Sequence, residues 1–150
     1  MTEYRHRVEI QIRFQDVDAM GHVPHAHFLV YAEHARLRYY DAVLGTADSD
    51  WHSQHGLIMA RSEVDYRRPL FLDDRAAICT RCVRIGTKSF ELQWVLVRAA
   101  AGGDEVVAEG RTVIVCYDYS QQTTVAMAPE RRAALERFEG CRLSDPARAD

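Results

Sequence analysis

His25-Ala26-His27-Phe28-Leu29-Val30-Tyr31-Ala32-Glu33-His34-Ala35-Arg36-Leu37-Arg38-Tyr39-Tyr40-Asp41-Ala42-Val43-Leu44 carries the longest helical pattern in the chain. Phe28, Ala32, Ala35, Tyr39 and Val43 recur at steps of four, three, four and four, which places them on one stripe of an α-helix. Pro24 stands where a first-turn proline is tolerated, and Gly45 where a stop is expected. Upstream, Val8, Ile10, Ile12 and Phe14 alternate with Glu9, Gln11 and Arg13, the pattern of a half-buried strand with Phe14 on its apolar face. A turn-rich connector, Gln15 to Pro24, joins the two. Downstream, strand patterns cover about 57–67, 75–85, 88–99 and 105–117. Arg68-Pro69 breaks the first, Asp73-Asp74 precedes the second, and Gly86-Thr87 and Ala101-Gly102-Gly103-Asp104 make tight hairpins. A short irregular or helical stretch is expected at about 49–56, a closing helix at about 129–138, and a loose polar tail over 141–150. The order predicts one α+β domain over 1–150: a five-stranded antiparallel sheet wrapped around one long central helix. The open edges of such a sheet must be managed by oligomerisation or charge.

Composition narrows the function. A chain of 150 residues suits one domain, and 47% hydrophobic with 27% charged residues excludes whole-chain disorder. A net charge of −3 argues against a nucleic-acid binder that works by neutralising phosphates. No apolar run approaches the ~20 residues that span a bilayer, and the first residues show no signal-peptide core. A cytoplasmic protein with neither membrane nor nucleic acid as partner is expected. Cys79-x-x-Cys82 lies in a strand, where positions i and i+3 point to opposite faces, so the two sulfurs cannot share a metal. Of the 19 basic side chains one, Lys88, is lysine; the others are permanently charged forks.

Arg13-Phe14-Gln15-Asp16-Val17-Asp18-Ala19-Met20-Gly21-His22-Val23, followed in the helix by Tyr31-Ala32-Glu33-His34-Ala35-Arg36, resembles the hotdog-fold acyl-CoA thioesterases of the 4-hydroxybenzoyl-CoA thioesterase type. That family has Asp-x-Asp-x-x-Gly before its central helix and Tyr-x-Glu-x-Ala-Arg within it. Val64-Asp65-Tyr66-Arg67-Arg68-Pro69-Leu70 resembles its second strand, and Gly86-Thr87-Lys88-Ser89-Phe90 its third-to-fourth strand hairpin. Together these pieces run from about 8 to 117.

The resemblance implies hydrolysis of an acyl-CoA thioester, with CoA part of the substrate and no metal or redox cofactor. It makes Asp18 the catalytic carboxylate, either as nucleophile or as base for water. The backbone amide of His25, at the helix start, becomes the oxyanion donor. In Tol-Pal-associated members a histidine matching His25 is thought to assist the carboxylate. Asp16 reads as a structural residue of the connector. Gly21, Glu33, Arg84, Lys88 and Ser89 are the candidate substrate-binding residues: Glu33 for the acyl pocket or a subunit contact, Arg84 and Lys88 for the CoA phosphates. His22, His25, His27 and His34 crowd the helix start, but H-E-x-x-H is absent, as is the G-x-S-x-G elbow of a serine hydrolase. A homodimer or homotetramer is implied, with its site at the subunit interface. Asp18 and the helix start come from one subunit, and residues near 57–65 from the other. Many relatives carry an Asn pair where this chain has Pro24-His25. Two other readings stand beside hydrolysis: a non-catalytic acyl-CoA or acyl-carrier-protein binding module, and a 3-hydroxyacyl-thioester dehydratase.

Overall fold

The computed structural model describes residues 4–45 and 56–143. In chain order it contains strand β1 (His6–Ile10), helix α1 (His25–Leu44), strands β2 (Gly56–Tyr66), β3 (Ala76–Ile85), β4 (Ser89–Ala100), β5 (Gly103–Asp118) and β6 (Thr123–Thr124), and helix α2 (Pro129–Glu139). All strand pairings are antiparallel, in the order β1-β3-β4-β5-β2, with β6 a two-residue addition to β5 that the sequence pattern did not show. The α+β hotdog architecture is the one expected. The stretch expected at 49–56 lies, up to 55, outside the described residues, as does the tail from 144 onward.

One expectation fails at the first strand. It ends at Ile10, and Phe14 is 82% exposed rather than turned inward. The cause is local. The Asp16 amide donates to the Arg13 carbonyl (2.9 Å) and the Arg13 amide to Asp16 Oδ2 (3.0 Å), which curls Phe14–Asp16 into a single 3₁₀ turn.

The stripe on α1 holds. Phe28, Ala35 and Tyr39 are buried against one face of the sheet, with Ala32 and Val43 at its margins. Along β4, Phe90, Leu92, Trp94 and Leu96 join the clusters under α1, while Val95 and Val97 pack on the opposite face with Ala77 and Cys79. Cys79 and Cys82 accordingly sit in different clusters, and burial pushes the Cys82 thiol up to about 12. Helix α2 closes the far end of α1, where Leu135 and Phe138 pack with Tyr39 and Tyr40.

A row runs across the sheet from Val64 through Gly110 and Trp94 to Thr80. Only glycine fits at 110, because a Cβ there would stand 2.5 Å from Trp94 Cε2. At the sheet margin, β2 pairs with β5 alone among the described residues and leaves its other edge open over eleven residues.

Candidate active site

Two aspartates organise the connector before α1, and they do different work. Asp16 Oδ2 accepts hydrogen bonds from the Arg13 amide (3.0 Å) and the Tyr31 hydroxyl (2.8 Å), while Oδ1 faces His27 Nε2 at 3.7 Å. Burial alone would raise this carboxyl's pKa. The two donors and the nearby imidazole outweigh burial and hold it below the usual carboxylate range. Burial, and then the Asp16 carboxylate, push the Tyr31 hydroxyl upward. Asp16 thus anchors the connector to the first two turns of α1.

Asp18 is exposed, and its carboxylate organises the loop that follows. Oδ1 accepts from the Met20 amide (2.9 Å) and the His22 amide (3.2 Å). The Asp18 amide donates to the His22 carbonyl (2.8 Å) and the Gly21 amide to the Asp18 carbonyl (3.0 Å). Gly21 has φ +79 with open space where a Cβ would stand, so the backbone itself demands glycine there. The loop is then fixed to the sheet side of the fold: His22 bridges Phe71, and the Val23 amide donates to the Leu70 carbonyl (2.8 Å).

Helix α1 begins directly after Pro24, whose φ of −63 is already compatible with a helix start, and no side chain caps this end. The first amides of a helix have no partner within it, and the helix dipole adds positive potential there. The His22 amide that holds Asp18 lies three residues before His25, a stretch of chain that spans at most ~10 Å. The Asp18 carboxylate and the unclaimed helix amides are therefore neighbours. Such a pair can supply a base or nucleophile together with donors for a developing oxyanion.

The His25 ring is exposed and meets Tyr66 edge-on at 6.1 Å between centroids, and the Tyr66 hydroxyl donates to the His25 carbonyl (3.4 Å). The approach of Tyr66 to His25 depends on where β2 ends, which the sequence pattern alone does not reveal. Further along the helix a cavity of about 220 Å³ lies between α1 and the sheet, with Leu29, Ala32 and Glu33 among its helix-side walls. Leu29 is one turn past His25, about 6 Å along the axis. Glu33 pairs with Arg36 at 3.1 Å.

The remaining candidates lie elsewhere. Arg84 stands beside Glu91 at 3.7 Å, Lys88 Nζ reaches Thr124 Oγ1 at 3.4 Å, and Ser89 opens β4. The Asp18 loop meets the sheet just before β3 begins, whereas Arg84 and Lys88 sit where β3 ends, about 30 Å away at the rise of a strand. One protomer does not bring these two groups together.

Among the described residues no three His, Cys, Asp or Glu side chains converge as a metal site. Instead His22 meets Phe71 edge-on, His25 meets Tyr66, and His27 turns to Asp16. No helix among the described residues is long and apolar enough to cross a membrane.

Known proteins carry the same architecture. A thioesterase structure from Thermus thermophilus, complexed with coenzyme A and Zn, is 31% identical and superposes with a TM-score of 0.78 over 93% of this chain and 98% of its own. The long-chain acyl-CoA thioesterase FadM of Escherichia coli K12 is 28% identical over 134 residues, which is 88% of this chain and 98% of FadM. A 1,4-dihydroxy-2-naphthoyl-CoA hydrolase of Nostoc punctiforme is 28% identical over 79% of this chain and 78% of its own. The profile of the thioesterase-like superfamily matches residues 12–135, from just before the connector to the middle of α2, and the chain belongs to that superfamily.

Proposed function

We propose that this protein hydrolyses acyl-CoA thioesters at a site built on Asp18 and the first amide of α1. The observation that carries the reading is the Asp18 loop seated at the uncapped start of α1 in a member of the thioesterase-like superfamily. The thioester carbonyl oxygen accepts from the His25 amide, which stabilises the negative charge that develops on it. The two loop amides hold Asp18 Oδ1, and Oδ2 has no hydrogen-bond partner among the described residues. That second oxygen either takes a proton from a water that attacks the carbonyl carbon, or attacks it directly to form an acyl–aspartate anhydride that water then hydrolyses. In both cases the C–S bond breaks and CoA leaves as its thiolate. The Asp16-x-Asp18-x-x-Gly21 loop and the Tyr31-x-Glu33-x-Ala35-Arg36 pattern support a place with the 4-hydroxybenzoyl-CoA thioesterase type. His25 after them is the feature shared with Tol-Pal-associated members.

The nucleotide end of CoA calls for cations, and Arg84 and Lys88 are about 30 Å from Asp18 within a protomer. A two-fold pairing of open β2 edges, antiparallel by symmetry, sets the hairpin end of the partner's sheet at the Asp18 end of this one. Met59 (47% exposed) and Tyr66 (46%) on β2, with Leu29 and Val30 on α1, supply apolar surface for such a contact. We therefore place Asp18 and the helix start in one subunit, and Lys88 of the partner subunit beside the CoA phosphates.

Free thiol release from acetyl-, octanoyl-, palmitoyl- and benzoyl-CoA tests the hydrolytic reading. Turnover of at least one is expected. Tight binding without thiol release would point to a binding module, and water loss from a 3-hydroxyacyl-CoA without thiol release would point to a dehydratase.

A further inference from the structure

The cavity beside α1 is walled by apolar groups, Leu29, Ala32, Met59 and Leu92 among them, yet its sheet side also carries Thr80 and Trp94. These two are direct cross-strand partners on β3 and β4, so their side chains rise from the same face of the sheet. Thr80 is 2% exposed and Trp94 3%. Nevertheless the Thr80 hydroxyl and the Trp94 indole Nε1 have no hydrogen-bond partner. Buried polar groups are almost always paired, and leaving one unpaired is costly. The indole cannot swing away freely, because it lies across Gly110, where even a Cβ would collide with it. On the helix side Arg36 Nε is unpartnered as well, while its other end is held by Glu33.

Volume adds a second constraint. A cavity of about 220 Å³ is only moderately larger than the ~150 Å³ cavity that accommodates benzene. Its helix-side wall starts at Leu29, one helical turn past His25, so an acyl group whose carbonyl sits at the His25 amide would reach it after about 6 Å along α1. The larger open cleft of about 690 Å³ toward Leu37 and Tyr119 lies beyond the Glu33–Arg36 pair, which lines both spaces.

We propose that Trp94 and Thr80 determine specificity, and that the pocket takes a short acyl group bearing an oxygen substituent, a hydroxy- or oxo-acyl thioester, in preference to a plain alkyl chain. The inference rests on the acyl-CoA hydrolysis proposed above. An oxygen on the acyl group accepts from Trp94 Nε1 and exchanges a hydrogen bond with the Thr80 hydroxyl, while the indole bulk limits chain length. An unsubstituted chain would fill the space and leave both polar groups unpaired, which is the arrangement that discriminates most strongly between substrates.

The test is kcat/KM by thiol release for butyryl-, 3-hydroxybutyryl-, acetoacetyl- and palmitoyl-CoA. It uses the intact protein and two variants: Trp94→Phe, which keeps a ring without the N–H, and Thr80→Val, which keeps the shape without the hydroxyl. The intact protein is expected to favour an oxygenated C4 thioester over butyryl-CoA by at least about tenfold, a difference that a purely apolar pocket does not produce for an added hydroxyl that it fails to bond. Each variant should erase most of that preference, chiefly by lowering kcat/KM for the oxygenated C4 thioesters rather than for butyryl-CoA, since only the former bond to these groups. Equal rates for butyryl and oxygenated C4 substrates in the intact protein, or a preference for palmitoyl-CoA, would overturn the inference whether or not the variants fold. Thiol release from none of these thioesters would overturn the hydrolytic reading along with it.

Discussion

The two ends of α1 are built to opposite specifications. At its C-terminal end Tyr39, Phe90, Leu135 and Ile114 are almost wholly buried, and the polar groups around them are largely paired, with His6 Nδ1 beside Tyr39 the exception. The Tyr39 hydroxyl donates to Glu139 Oε1 (2.5 Å), which also accepts from the Cys82 amide (2.8 Å), and Glu136 accepts from the Leu143 amide (3.0 Å). At its N-terminal end Asp18 and His25 are exposed, no side chain caps the helix, and residues lining the adjoining cavity carry an unpaired hydroxyl, an unpaired indole N–H and an unpartnered guanidinium Nε. Of the four buried side-chain polar atoms without a partner among the described residues, three belong to residues that line this cavity, where a ligand could use them. The difference is what the proposed function expects, with chemistry at one end of the helix and cohesion at the other.

The largest effect is expected at the open end. Asp18→Asn should lower kcat by about 10²–10⁴-fold, the usual cost of a lost base, and more if Asp18 is the nucleophile. Its melting temperature should change little, because an amide oxygen can still accept from the Met20 and His22 amides. Asp16→Asn should reverse the pattern, with a modest loss in kcat and a lower melting temperature. Its carboxylate is favoured in the folded state, so the stability it contributes is present above the ordinary carboxylate pKa and fades as pH falls through the depressed one. Parallel kinetics and thermal melts on both variants separate the two roles; turnover by Asp18→Asn within about tenfold of the intact protein would misassign the carboxylate.

Next in size is the closed end. Leu135→Ala, at a fully buried position, should cost about 2–5 kcal/mol in a denaturant titration while kcat at low temperature stays near that of the intact protein. A selective loss of kcat with unchanged stability would erase the contrast between the two ends. Smaller still is the effect of the cationic hairpin. Replacing Arg84 and Lys88 by Ala should raise KM, leave kcat nearly unchanged and flatten the salt dependence of KM.

The smallest expected effect is a pH slope. His6 is buried against Tyr39, edge-on at 5.4 Å, and burial holds its pKa below the ordinary 6.5. The unfolded chain therefore binds a proton more readily, so this contribution to stability is complete above about pH 6.5 and lost as pH falls below it. Melting temperatures followed from pH 7 to 5 should decline in the intact protein and decline less in His6→Phe, which keeps the ring contact.

Much of this architecture was legible in the sequence, for definable reasons. The α1 stripe, the hairpins at Gly86-Thr87 and Gly102-Gly103 and the closing helix all follow from periodicity and turn chemistry within a few residues. The role of Asp18 came from the resemblance to a thioesterase family rather than from periodicity, and its ties to Met20, Gly21 and His22 are seen only in the structure. Phe14 was misplaced because a side-chain contact from Asp16 overrode strand alternation. Contacts between distant segments were out of reach: Tyr31 on Asp16, Tyr66 on His25, and Trp94 across Gly110 opposite Thr80 depend on strand register and helix placement. The separation of Arg84 and Lys88 from Asp18 needed the topology too, since it follows from which end of β3 each segment meets.

That separation makes the shared site testable by mixing subunits. Asp18→Asn and the Arg84→Ala/Lys88→Ala double variant are unfolded together, refolded as a mixture, and assayed for thiol release at a substrate concentration well below the KM of the double variant. If the carboxylate and the cationic hairpin come from different subunits, each mixed dimer holds one site with both defects and one with neither. The account predicts recovery of about a quarter of the intact protein's sites, with its original KM, from random two-fold assembly. Activity equal only to the average of the two parent variants would contradict it, and would place the carboxylate and the cations that serve it in the same chain.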